Sequence, residues 1–145
     1  MIINTCSEAI SLAKELEINS SKFYMQLAEK FSKGKDLFFS FTKENEDFIV
    51  QIERAYYGVI SDAIEGCFAF NLNPDLYKAK MDIQKIDCYS DAIKKAIEIE
   101  EKILKFYIDA AEQSKSLMAD VPRSFKLVAK KRERRLFTLK SLINS

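Results

Sequence analysis

Two glutamates stand where the chain's own pattern calls for an apolar residue. Glu17 falls inside the stripe Ala9/Ile10, Ala13, Leu16, Tyr24, Leu27/Ala28 and Phe31. Glu100 falls inside the stripe Ala92/Ile93, Ala96/Ile97, Ile103/Leu104, Tyr107 and Ala110/Ala111. Both stripes have helical spacing, so both carboxylates point into a core. A carboxylate taken out of water is costly unless a cation or a metal ion answers it. Late in the chain, Arg132 continues the stripe Phe125, Val128/Ala129 toward Leu136, Leu139 and Leu142/Ile143, and it faces inward too. Arg135 competes with Leu136 for that face. The neighbouring pairs Glu15/Glu17 and Glu98/Glu100 do not form a general acid and base, because residues two apart on a helix face different ways.

Composition narrows the chemistry further. The chain has 145 residues and no histidine. That zero excludes Ser-His-Asp and Cys-His nucleophiles and any metal site that needs an imidazole. The length fits one domain, residues 1–145. A hydrophobic content of 48% with 31% charged residues is that of a globular chain. Only 3 Gly and 2 Pro argue against an all-β fold built on tight turns. Cys6, Cys67 and Cys88 are odd in number and form no C-x-x-C pair, so they read as reduced, buried thiols of a cytoplasmic protein. No basic stretch followed by an apolar run opens the chain, and no apolar stretch approaches the roughly 18 residues of a membrane span. The net charge of +1 hides an asymmetry: the segment from Arg123 to Lys140 carries +7 and the remainder −6.

The elements that position these residues are all helical. Thr5-Cys6-Ser7-Glu8 is a capping box that opens the first helix, and Gly34 is its stop. The second helix spans about Asp36 to Gly58, with Phe38, Phe41, Phe48/Ile49, Ile52 and Ala55/Tyr56 on its stripe. The third begins near Ser90-Asp91. The fourth begins at Asp120-Val121-Pro122, with Asp120 as its cap and Pro122 in its first turn. Short loops make two antiparallel hairpins, 5–60 and 90–143. The long segment 61–89, with the turn signal Asn71-Leu72-Asn73-Pro74-Asp75, is a crossover with room for a short helix. Phe38, Phe39, Phe41, Phe48 and Phe125 are expected in the core.

The two hairpins repeat one another. At an offset of 83, Glu8-Ala9-Ile10 meets Asp91-Ala92-Ile93, Glu15 and Glu17 meet Glu98 and Glu100, and Lys22-Phe23-Tyr24 meets Lys105-Phe106-Tyr107. The second helices align at an offset of 87, Phe38 on Phe125 and Ile52 on Leu139. Amphipathicity alone does not produce Glu-x-Glu followed by Lys-Phe-Tyr twice, so the pattern is a duplication.

Glu17-x5-Phe23-Tyr24 and Glu100-x5-Phe106-Tyr107, each followed by a Phe-led helix, resemble the rubrerythrin-like branch of the ferritin-like superfamily. The resemblance covers almost the whole chain. It implies an all-α, ferritin-like four-helix bundle of two antiparallel hairpins joined by a long crossover. It also implies a di-iron centre, held by one Glu on each first helix and Glu-x-x-His on each second, with peroxide, dioxygen or iron chemistry. A homodimer is expected from the same likeness.

The chain departs from that pattern at the ligands. The second-helix positions that carry Glu and His in the family are Asn45 and Phe48 in one half, Arg132 and Arg135 in the other. The extra third-helix Glu of peroxide-reducing members would be Ile103. Glu17 and Glu100 remain, with Tyr24 and Tyr107 two turns on. An arginine fork binds a carboxylate through two hydrogen bonds and stays charged. The expectation is a buried Glu–Arg cluster in place of metal, no cofactor, and a non-catalytic binding or assembly role. An alternative is an enzyme with a shifted all-carboxylate site for iron or manganese, made of Glu17, Glu44, Asp47 and Glu100. Another is anion or nucleic-acid binding through Lys126, Lys130, Lys131 and Arg134, a face that reads more simply as solvated. Neither a membrane nor any particular protein partner is indicated.

Overall fold

The computed structural model describes residues 1–59, 69–115 and 120–143. Among them are four α-helices and no strand: α1 (Cys6–Lys30), α2 (Lys35–Val59), α3 (Tyr89–Gln113) and α4 (Asp120–Ile143). α1 packs on α2 and α3 on α4; α2 also packs on α4 and α1 on α3, which closes a four-helix bundle.

Each helix starts and stops for local reasons. The Thr5 side chain accepts from the Glu8 amide at 3.2 Å, and Glu8 Oε1 accepts from the Thr5 amide at 3.1 Å, closing the expected capping box. Gly34 is not the stop of α1, which ends at Lys30 with Phe31 already extended. Instead Gly34 takes φ 79° and its carbonyl accepts the first bond of α2, from the Phe38 amide at 3.0 Å. The glycine is needed one step later than its sequence context implied. It lets the chain reverse against the Tyr89 ring, where a Cβ would lie 3.0 Å from ring atoms. Asp120 is the first helical residue of α4 and not its cap, and Pro122 sits in the first turn as expected.

The crossover holds no α-helix among its described residues, only two single 3-10 turns, Pro74–Leu76 and Ile83–Lys85. Its contacts fix the helix directions. Leu72 pairs with Ile3 at the start of α1, and Asn71 pairs with Gln113 at the end of α3. Further on, Lys30 at the end of α1 donates to the carbonyls of Ile83 and Ile86. The crossover therefore runs the length of the bundle, and α3 lies antiparallel to α1. The matched hairpins thus lie in opposed directions, an approximate two-fold relation.

The core follows the stripes, with Phe38, Phe48, Phe125, Tyr24 and Tyr107 fully buried. Phe39 is the exception among the aromatics expected inside: it is 39% exposed. It follows Phe38 by one residue, about 100° around the helix, and that step carries it to the edge of the buried face. Cys6 is buried and Cys88 exposed, against the expectation of burial; Cys67 lies outside the described residues. No described helix is long and apolar enough to cross a membrane.

Candidate functional site: a buried carboxylate–guanidinium cluster

At mid-height of the bundle all four helices contribute polar side chains to one buried point. Glu17, Asn45, Glu100 and Arg132 are each 0% exposed, and Arg135 is 3% exposed. Arg132 is the bridge. Its Nη1 donates to both oxygens of Glu100 at 2.6 Å, and its Nη2 donates to Glu17 Oε1 at 2.5 Å and to Asn45 Oδ1 at 3.2 Å. Arg135 lies beside it, one turn on. Its Nη1 donates to Asn45 Oδ1 at 2.8 Å and to Glu100 Oε1 at 3.1 Å. Its Nη2 donates to the Phe41 carbonyl at 3.2 Å and to Glu44 Oε1 at 2.6 Å, and its Nε reaches the same Glu44 oxygen at 3.2 Å.

The tyrosines complete the set crosswise. Tyr24 on α1 donates its hydroxyl to Glu100 on α3 at 2.9 Å, and Tyr107 on α3 donates to Glu17 on α1 at 2.6 Å. The offset of 83 maps one bond onto the other, so the two-fold relation extends to the hydrogen bonds. The second helices break it. α2 supplies Asn45 and Phe48 where α4 supplies Arg132 and Arg135. Asn45 serves as an acceptor shared by both guanidiniums, and its Nδ2 donates to Ser20 Oγ at 3.3 Å. Phe48 serves as a ring wall, with both guanidinium carbons 5.5 Å from its centroid; Phe41 approaches Arg135 to 4.5 Å.

The two central glutamates are not equivalent. Burial pushes Glu100 up, but Arg132 and Arg135 outweigh it and hold the carboxyl below its ordinary value. Burial also pushes Glu17 up, and there it wins: Arg132 and Tyr107 bond to it and Arg135 acts only from a distance, and Glu17 stays above its ordinary value. Burial, then the facing carboxylates, keep both tyrosines protonated far past neutral pH, so both remain donors. Burial alone would weaken the charge on Arg132, but Glu100 and Glu17 more than restore it. Arg132 Nε is the one buried side-chain polar atom without a partner among the described residues.

The inward facing of Glu17, Glu100 and Arg132, read from spacing, matches this geometry, and Arg135 joins them. Ile103 is fully buried and lines the site as an apolar wall. The four acids of the alternative metal site do not converge. Asp47 is exposed on α2, and Glu44 is turned to Arg135. The pair expected to rotate inward together is split because Arg135 captures Glu44 at the rim. Two partners went unread in the sequence. Ser20 lies one turn after Glu17 and is matched by Ile103 in the other half, so no repeat marked it. Glu44 was visible as an acid, but not as the counter-ion of Arg135.

No protein family, curated protein or solved structure matches this chain. The site therefore stands on its own donors. It does not fit a pair of irons: a guanidinium occupies the space between the carboxylates, and each of their four oxygens accepts from arginine or tyrosine. Among the described residues no group of three or more Cys, Asp or Glu is arranged to hold a metal ion. The cluster also lacks an exposed nucleophile. What it can do is hold four helices in one register with a near-neutral set of buried charges.

Proposed function

We propose that this chain is a ferritin-like bundle of the rubrerythrin-like type in which two arginines have taken the place of the metal ions, and that it is a non-catalytic binding or assembly protein of the cytoplasm. The observation that supports this most is the Arg132 bridge, which joins Glu17 to Glu100 across the bundle. Two ferrous ions and four carboxylates would balance; here two guanidiniums and two carboxylates balance instead. A site of this kind has a structural role, because both carboxylates and every guanidinium nitrogen but Arg132 Nε are bonded inside the protein. The same likeness carries the proposal of a homodimer.

Two measurements on one preparation test the reading. The protein is expressed with added iron and manganese, and its metal content and peroxide turnover are then measured. The expected result is metal far below one ion per chain and no turnover above buffer. Stoichiometric iron or manganese, or peroxide consumption that follows the metal content, would overturn it.

A further inference from the structure

The cluster has an outer edge, and that edge opens into a cleft. Phe41 and Glu44 of α2 face Lys131, Arg134, Arg135 and Thr138 of α4 across a space of about 230 Å3. Its volume lies below the roughly 300 Å3 at which drug-sized pockets begin, so it suits a small group. Arg135 is answered from inside by Glu100, so the lining adds two cations, Lys131 and Arg134, against the one acid Glu44. Among the described residues neither Lys131 nor Arg134 lies within ion-pair distance of a carboxylate.

The floor of the cleft is built, not incidental. The Arg135 side chain is 1% exposed and is fixed from the inside by Asn45, Glu100 and the Phe41 carbonyl. Its Nε–Nη2 edge, the edge that takes two oxygens of an oxyanion, meets Glu44. Both bonds go to the single oxygen Oε1. A two-oxygen anion would use this edge better than Glu44 does. Glu44 is also 37% exposed, so it can turn to solvent at little cost.

We propose that this cleft binds a single phosphate group, with Arg135 as its fixed fork, Lys131 and Arg134 as flanking charges, and Glu44 as a resident carboxylate that the ligand displaces. A phosphate carries about −1.5 to −2 charges near neutral pH, which matches Lys131 and Arg134 once Glu44 is displaced. The site is distinct from a solvated basic face, because its central donor is buried and pre-oriented. It shares Arg135 with the bundle centre, but its readout, phosphate binding, is separate from the metal content that tests the reading of that centre.

The test is a titration of the full chain with inorganic phosphate, followed by the NMR signal of the Arg135 side-chain Nε–H, with potassium chloride at matched ionic strength as control. Saturable binding in the millimolar range or tighter is expected with phosphate and not with chloride. The surface double variant Lys131→Gln/Arg134→Gln should weaken binding by about tenfold or more, and Glu44→Gln should tighten it several-fold. A parallel titration with phosphoserine separates the two sources of the group: tighter binding marks a phosphate carried on a larger molecule, equal binding a free ion. Loss of saturation, identical shifts with chloride, or a double variant that binds like the parent would each overturn the proposal. The double variant alters only surface side chains, so the test survives if Glu44→Gln fails to fold.

Discussion

Arg132 and its two carboxylates behave as a unit, and the cost of breaking that unit is set by burial. Removing one partner of such a pair typically costs about 3–5 kcal/mol, because the other charge is stranded away from water. Glu100→Ala should therefore lower the melting temperature sharply. Glu98→Ala, two residues away on an exposed side chain that pairs with Lys95, should change stability by less than about 0.5 kcal/mol. Thermal melts of the two variants compare them directly; equal losses would contradict the buried pairing. The two glutamates should also differ with pH. Glu100, held below its ordinary value of 4.5, stabilises the fold above that pH, and the contribution is lost as pH falls through its lowered value. Glu17 is raised above 4.5, so the unfolded chain ionises first, and stability falls as pH rises through its native value. Melting curves across acidic pH should then show Glu17→Gln removing the upper limb and Glu100→Gln the lower one. Glu17, Glu100 and Arg132 were legible from the sequence because each continues an apolar stripe. Arg135 was not settled: it lies about 60° to one side of Arg132 and Leu136 about 40° to the other, so helix phase alone does not choose between them.

At the scale of elements, the helices were legible to within a few residues, since period and caps are local. The turn between α1 and α2 was not. Its glycine serves the reversal and the start of α2, and the reason lies in Tyr89, far away in sequence. Gly34→Ala should cost more than about 1 kcal/mol, because the residue takes a positive φ and its new Cβ would press on the Tyr89 ring. Denaturant titration would measure this, and a neutral result would mean that the turn relaxes. The pairing of Glu44 with Arg135 belongs to this scale too. It depends on the height at which α2 and α4 meet, and neither helix encodes that by itself.

For the whole molecule, duplication explains both what is symmetric and what is not. The first helices of the two hairpins keep Glu and Tyr in matched places, and the hydrogen bonds Tyr24–Glu100 and Tyr107–Glu17 repeat across the two-fold. The second helices have diverged, one to amide and phenyl, the other to two guanidiniums. Among the described residues that division places the buried positive charge on α4 and makes the centre a set of direct ion pairs. The crossover's path and the antiparallel lie of α1 and α3 follow from its ties at Ile3, Gln113 and Lys30, which composition and periodicity did not reveal.

The most direct test is a crystal structure of metal-supplemented protein, with anomalous diffraction recorded at the iron and manganese edges. The expected map shows Arg132 in contact with Glu17 and Glu100 at 2.5–2.6 Å and no anomalous peak between them. An ordered anomalous peak at that point, with the Arg132 side chain turned away, would contradict the account.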